Sequence, residues 1–261
     1  MLTFVLALLQ LGASRTVLAT VADTRGRAIV DIEADDFVVR ETGKTREVLS
    51  VRVADYPIAV VLDNGPGAGQ DFVAIRQAAA RFIGRIGHRP IGVALSDPPQ
   101  LIANFDEDRP NVLEALEKAT ATSSGDGLFQ AIVEAARAIA ENGSPFSAIV
   151  VVSASPLASL PTELLTPVLE SGAAIHVIVA GGSQVPGPSR EALRVLADET
   201  HGQFTTIYST ASYQIALDRL ADRLAPQLMV EYVVPVGSTS GNDVQLGVRI
   251  PGARVIGLGV K

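Results

Sequence analysis

The middle of the chain alternates between continuous apolar runs and segments of helical periodicity. A strand that is apolar at successive positions is typical of a parallel sheet covered by helices on both faces. After the first run, apolar residues recur at three- and four-residue steps from Gln70 to Ile86, which predicts a helix. The runs are IAVVLD (58–63), IGVALS (91–96), AIVVVS (148–153) and AIHVIVA (174–180).

The same alternation continues with further helices and two short strands. Strands that alternate with helices of this length predict an α/β fold with a doubly wound, mostly parallel sheet. Such sheets place ligands beyond the carboxyl ends of their strands. The helices are predicted at 109–119, 127–141, 162–171, 189–199 and 211–224, and the short strands at 101–105 and 203–208.

Both ends of the chain have β patterns. Residues 16–54 contain TVLATVA and two strands around a turn at Thr42 and Gly43, and strand-like runs cover 228–236, 243–250 and 253–260. Neither end is long enough to bury a core alone. We therefore predict that residues 15–54 and 227–261 pack together as a small β unit, flanking a domain at 55–226.

The first residues, MLTFVLALLQLGA, form an apolar stretch that is too short to span a bilayer, which needs roughly 20 residues. Small residues follow it, so we predict a signal peptide over residues 1–14 and an exported protein. A first strand or buried helix is the alternative. No membrane span is predicted elsewhere.

The composition narrows the function classes. The 261 residues carry a formal net charge of −7 and show no basic stripe, which argues against nucleic acid as a partner. The chain has no cysteine, which excludes disulfides, thiolate catalysis and thiolate-bound zinc.

Several separate motifs resemble the bacterial von Willebrand factor A (VWFA)-related proteins that are abundant in acidobacteria. Asp36-Phe37 and the pattern from Glu41 to Lys44 match the β segment that precedes the A domain in that family. IAVVLD with its helix matches the start of the A domain, and Tyr232 lies in the strand that follows the last helix. The resemblance implies a Rossmann-like von Willebrand A domain that binds proteins through a metal-ion-dependent adhesion site.

The ligands that the resemblance implies are largely missing here. The family pattern Asp-x-Ser-x-Ser reads Asp63, Asn64, Gly65, Pro66, Gly67, so both serines are replaced by glycine. The threonine position of the second loop falls on Asp126, or on Ser123 or Ser124 under a shifted alignment. The third loop, from Ser153 to Ser155, lacks its acid. We therefore predict a degenerate site that holds no cofactor.

Two alternatives stay open for the acids. In one, Asp63 and Asp126 hold Mg²⁺, Mn²⁺ or Ca²⁺ in a remodelled site, because hard cations take oxygen ligands. In the other, Asp63 is the polar end of a buried strand, and Asp126 is a helix N-cap.

The motifs expected of an enzyme are incomplete in this sequence. The glycines from Gly65 to Gly69 lie where a dinucleotide-binding loop would lie, but Gln70 occupies the position of its third glycine. No nucleophile elbow occurs, and His176 falls in mid-strand, where a packed sheet residue is expected. A nucleotide-dependent enzyme is kept as an alternative.

We predict a non-enzymatic, exported module that binds a protein partner through loops at the carboxyl edge of the sheet. These loops contain Asp63, Asn64, Gly65, Gly67, Ser124, Asp126, Ser153 and Ser155.

Overall fold

A computed structural model describes residues 13–125, 127–154, 165–181, 188–235 and 243–260. The chain divides into a larger unit, residues 55–225, and a smaller unit made from both chain ends, 1–54 and 226–261. None of the described helices is long and apolar enough to cross a membrane. The predicted signal peptide lies almost entirely outside the described residues.

The described strands are β1 (Ala13–Ala22), β2 (Phe37–Glu41), β3 (Lys44–Arg46), β4 (Val48–Val53), β5 (Ile58–Leu62), β6 (Ile91–Ser96), β7 (Pro99–Ala103), β8 (Ala148–Ser153), β9 (Ala174–Ala180), β10 (Gln203–Ile207), β11 (Leu228–Val234), β12 (Val244–Val248) and β13 (Arg254–Val260). The described α-helices are α1 (Phe72–Arg85), α2 (Arg109–Lys118), α3 (Leu128–Asn142), α4 (Leu165–Glu170), α5 (Pro188–Glu199) and α6 (Ala211–Leu224).

The larger unit is built on a six-stranded sheet with the order β10-β9-β8-β5-β6-β7. All neighbouring pairs are parallel except β6 with β7, which is antiparallel. Helices α3, α4 and α5 cover one face, while α1 and α6 pack against each other and cover the other. β5, β6 and β8 are buried at every position because both of their faces meet helices. The predicted α/β, doubly wound, mostly parallel fold is confirmed.

The smaller unit contains two antiparallel sheets. One has the order β13-β1-β11-β4 and the other the order β12-β2-β3. Val17, Phe37, Val39 and Val230 belong to the shared core between them. The prediction of a small flanking β unit built from both chain ends is confirmed.

Glu41 carries a buried charge in this smaller unit. Its carboxylate accepts hydrogen bonds from Arg15 Nη1 at 2.6 Å and Arg46 Nε at 3.1 Å, and the Tyr232 hydroxyl donates to it at 3.4 Å. Burial raises the pKa of Tyr232, and the Glu41 charge acts in the same direction. The motif residues Glu41 and Tyr232 therefore meet inside the unit, where the carboxylate pairs with two guanidinium groups.

The strand predicted after the Thr42-Gly43 turn is two strands in different sheets. Both turn residues have positive φ, and β3 pairs with β2 across them. Beyond Glu47, β4 pairs with β11 in the other sheet. The prediction of one strand was wrong. Both sheets pack on the same core, so the alternation of side chains does not show where the chain passes from one sheet to the other.

Candidate functional site

Three polar side chains meet where neighbouring parallel strands end. Asp63 follows β5, which lies between β6 and β8 in the sheet. Ser96 is the last residue of β6 and Ser153 the last residue of β8. The backbone N–H of Asp63 donates to Val152 O at 2.9 Å, which fixes the aspartate against β8. The carboxyl edge of the sheet therefore places one carboxylate between two hydroxyl groups.

The Asp63 carboxylate accepts hydrogen bonds on both oxygens. The backbone N–H of Gly65 donates to Oδ1 at 3.1 Å, whereas Ser153 Oγ and the backbone N–H of Ala154 donate to Oδ2 at 3.1 and 3.2 Å. Ser96 Oγ lies 3.4 Å from Oδ1. The Asp63 residue is 6% exposed. Its charge is therefore satisfied by donors of the chain itself.

Asn64 joins three loops. Its side-chain nitrogen donates to Asp97 O at 2.8 Å and to Thr120 O at 3.1 Å, and its side-chain oxygen accepts from the Asp97 N–H at 2.8 Å. Ser96 Oγ lies 3.0 Å from that oxygen and accepts from the Asn64 N–H at 3.0 Å. Because all of these groups are buried or half-buried, Asn64 fixes the relative positions of the loops after β5 and β6 and the loop after α2.

The loop after α2 closes over Gly65. The Thr122 N–H donates to Asn64 O at 2.7 Å, and the Thr122 hydroxyl lies 2.9 Å from Ser124 O. A Cβ placed on Gly65 would be 3.2 Å from Gly125 O and 3.4 Å from Asp63 Oδ1. The backbone of the second loop therefore occupies space next to the position where the family pattern has a serine.

The structure brings together Asp63, Asn64, Gly65 and Ser153 from the predicted loops. Gly67 is exposed in the turn that Ala68 N and Gly65 O close, and Ser124 is exposed and contributes its carbonyl oxygen. Asp126 and Ser155 lie outside the described residues.

Ser96 and Thr122 were missed by the sequence analysis. Ser96 ends an apolar run, and no local motif marks it as a partner of Asp63. Its location at the end of a predicted strand could have indicated it, because polar residues at the carboxyl ends of adjacent parallel strands converge on one edge of the sheet. Thr122 lies in the predicted second loop, two residues before Ser124.

Tyr213 supports the edge from α6. It is 1% exposed, and its hydroxyl donates to Ser153 O at 3.4 Å. Burial raises the pKa of Tyr213, and the charges of Asp71 and Asp63 act in the same direction. The phenol therefore stays protonated and can act only as a neutral hydrogen-bond donor or acceptor here.

The described donor set does not fit a divalent cation. Among the described residues, no cluster of three or more His, Cys, Asp or Glu side chains could hold a metal ion. Gly65 offers no side-chain oxygen, and the Asp63 carboxylate faces N–H donors on both of its oxygens. In the part of the chain that the structure describes, a cation at Asp63 would have to displace those donors before it could bind the carboxylate, and Mg²⁺ and Ca²⁺ require a full shell of oxygen ligands.

Comparison with known proteins identifies the fold. No family model matches the chain, and no curated protein matches it. The von Willebrand factor type A protein from Catenulispora acidiphila is 12% identical with a TM-score of 0.56, and the match covers 96% of this chain and 74% of that one. The von Willebrand domain of the type V pili tip protein Mfa5 from Porphyromonas gingivalis is 10% identical with a TM-score of 0.51, covering 66% and 95%.

Proximal thread matrix protein 1 from the mussel byssus is 14% identical with a TM-score of 0.50, and the match covers 68% of this chain and 47% of that one. Together with the strand order, these likenesses show that the chain has the von Willebrand A fold, a Rossmann-like arrangement. The network around Asp63 lies at the carboxyl edge of that fold.

Proposed function

We propose that this chain is an exported, non-enzymatic protein-binding module of the bacterial VWFA-related type, similar to the acidobacterial proteins, in which the metal-ion-dependent adhesion site is degenerate. The hydrogen bonding of Asp63 carries the proposal. Both carboxylate oxygens accept bonds from backbone N–H groups, so the residue that matches the first metal ligand acts as a structural anchor.

The partner surface in this proposal consists of the loops around Asp63–Gly67, Thr122–Gly125 and Ser153–Ala154. Gly67 and Ser124 are exposed there, above the buried network of Asp63 and Asn64. Without a metal charge, capture of a protein would depend on shape and on hydrogen bonds from these loops. The pilus-tip and byssus proteins that share the fold are consistent with an extracellular binding role.

Thermal unfolding tests the degenerate site. The full chain is unfolded in EDTA and then with millimolar Mg²⁺, Mn²⁺ or Ca²⁺, with Asp63→Ala treated in parallel. We expect no cation-dependent shift. A cation at 100 times its Kd would add about 2.7 kcal/mol. Stabilisation of that size in the wild type and none in Asp63→Ala would replace our proposal with a remodelled metal site. Stabilisation by ATP or NAD would favour a nucleotide-dependent function.

Site-specific cross-linking tests the partner surface. A photoreactive residue is introduced at Ser124 and, as a control, at Glu141, which is exposed near the far end of α3. With a cell-envelope extract in EDTA, we expect protein adducts from position 124 that are absent at position 141. Equal adducts at both positions, or none, would show that these loops are not the binding surface.

A further inference from the structure

A cavity of about 340 Å³ lies between α6 and the edge strand β10 of the larger unit. His176 and Ile178 line it from β9, and they face away from the core that Ile175 and Val177 form with α3 and α5. Among the described residues, the hydrogen-bond partners of Asp63 and Asn64 do not line this cavity. The cavity is within the size range of small-molecule sites.

His176 is a buried polar residue in the lining of the cavity. It is 4% exposed, and its Nδ1 atom is buried with no hydrogen-bond partner among the described residues. Burial, and to a smaller extent the charge of Arg223, lowers the pKa of His176 to about 4, so the imidazole is neutral at physiological pH. A buried polar atom without a partner costs free energy. The residue predicted as a packed sheet histidine therefore has unused hydrogen-bonding capacity.

The end of the cavity near His176 is electropositive. Arg219 is exposed there, and Arg223 donates to Gln203 Oε1 at 3.1 Å. None of the described residues that line the cavity is an Asp or a Glu. The two acids of α6 instead pair with Arg81 and Arg85 of α1, so they do not neutralise Arg219.

The other end of the cavity is open and mainly apolar, with Thr206 and Ser212 also in its lining. Because α6 follows β10 after a short turn and runs back along it, Tyr208 and Ile215 lie at the end away from Gln203. Tyr208 is 81% exposed and Ile215 is 52% exposed, so both side chains are accessible at the mouth of the cavity. Ile207 continues the apolar lining inward.

We propose that this cavity binds a small amphipathic organic anion, whose carboxylate lies at the end formed by His176, Gln203 and Arg219, and whose apolar body lies along Ile207 and Ile215. Charge complementarity selects an anion, and the apolar end selects a hydrocarbon or aromatic body. The site is independent of the loops in the proposed function, so the two proposals can fail separately.

Calorimetric titration of the full chain tests the ligand class. The probes are decanoate, decanol and decyltrimethylammonium, which share a chain length and differ in charge. The two ions are kept below their micellar concentrations and decanol below its solubility limit. We expect saturable binding of decanoate, weaker binding of decanol, and no binding of the cation. Equal binding of decanoate and the cation, or no binding of any probe, would overturn the proposal.

Two exposed variants locate the site without disturbing the fold. Arg219→Gln should weaken decanoate binding by about tenfold and leave decanol unchanged, because one charge-assisted contact is lost. Ile215→Asp should weaken both probes. The matched controls are Arg137→Gln on α3 and Val195→Asp on α5, which should bind like the wild type. If decanoate bound Arg219→Gln and Ile215→Asp with the affinity of the wild type, the ligand would bind elsewhere and the proposal would be overturned.

Discussion

The carboxylate of Asp63 matches the first acid of the adhesion motif and accepts hydrogen bonds from the chain itself. The N–H groups of Gly65 and Ala154 and the hydroxyl of Ser153 donate to its two oxygens. The loops after β5 and β8 are consequently held together by one buried charge.

The variant Asp63→Asn tests this anchoring role. The amide keeps one acceptor oxygen, but its NH₂ group cannot accept from Ser153 or Ala154, so at least one buried N–H loses its partner. We expect the free energy of unfolding to fall by about 1–3 kcal/mol, measured by urea denaturation with an unchanged m-value. Asp106→Asn, at an exposed position, should be neutral. Equal stability of Asp63→Asn and wild type would contradict the anchor.

The imidazole of His176 predicts a pH dependence of stability. Its pKa is about 4 in the folded chain and 6.5 ordinarily, so between these values the unfolded chain binds more protons. Stability must therefore fall as pH falls from about 6.5 to about 4, by about 3 kcal/mol in total. Denaturation across this range should show a shallower slope for His176→Gln than for wild type. The same slope in both proteins would show that His176 is not the responsible group.

At the scale of elements, α5 ends in a turn that favours glycine at two successive positions, and the sequence has glycine at only one of them. His201 N donates to Asp198 O and Gly202 N to Ala197 O, the bonds of a Schellman motif, and His201 has φ of 57°. Gly202 is required because a Cβ there would lie 1.8 Å from Ile175 O. The histidine, in contrast, occupies the left-handed position that glycine adopts at no steric cost.

We therefore expect His201→Gly to stabilise the protein by about 0.5–1 kcal/mol, because relief of the left-handed strain exceeds the added entropy of the unfolded chain. Thermal or urea unfolding measures the change. His88→Gly is the matched control, since His88 is exposed and lacks a positive φ. His88→Gly should lower the free energy of unfolding. A similar decrease in His201→Gly would show that the His201 side chain contributes more to stability than its left-handed backbone conformation costs.

How far the sequence predicts each element depends on whether its signal is local. The apolar runs that form β5, β6, β8 and β9 were predicted from the residues alone, because burial on both faces leaves few polar positions. The transfer between sheets at Glu47 has no such signal. At the site, Asp63 was predicted from a motif. Its contact with Ser96 arises because β5 and β6 are adjacent in the sheet, and no local sequence pattern specifies that adjacency.

At the scale of the whole molecule, the two units differ in how their sheets are assembled. The larger unit has a complete sheet, whose strands all come from 55–225, with helices on both faces. A domain of this length buries about 70% of its unfolded surface. In the smaller unit, β11 lies between β1 and β4, so the N-terminal residues alone cannot form that four-stranded sheet.

The expected consequence is an asymmetry between fragments. Residues 55–225 expressed alone should fold, with a dispersed amide NMR spectrum and one cooperative thermal transition, because every strand neighbour and both helical layers are retained. Residues 1–54 alone should give the spectrum of an unfolded chain, since β1 and β4 both lose β11 as a partner. Aggregation or non-cooperative melting of 55–225 would contradict this prediction and would show that the smaller unit is needed to complete the core of the larger one.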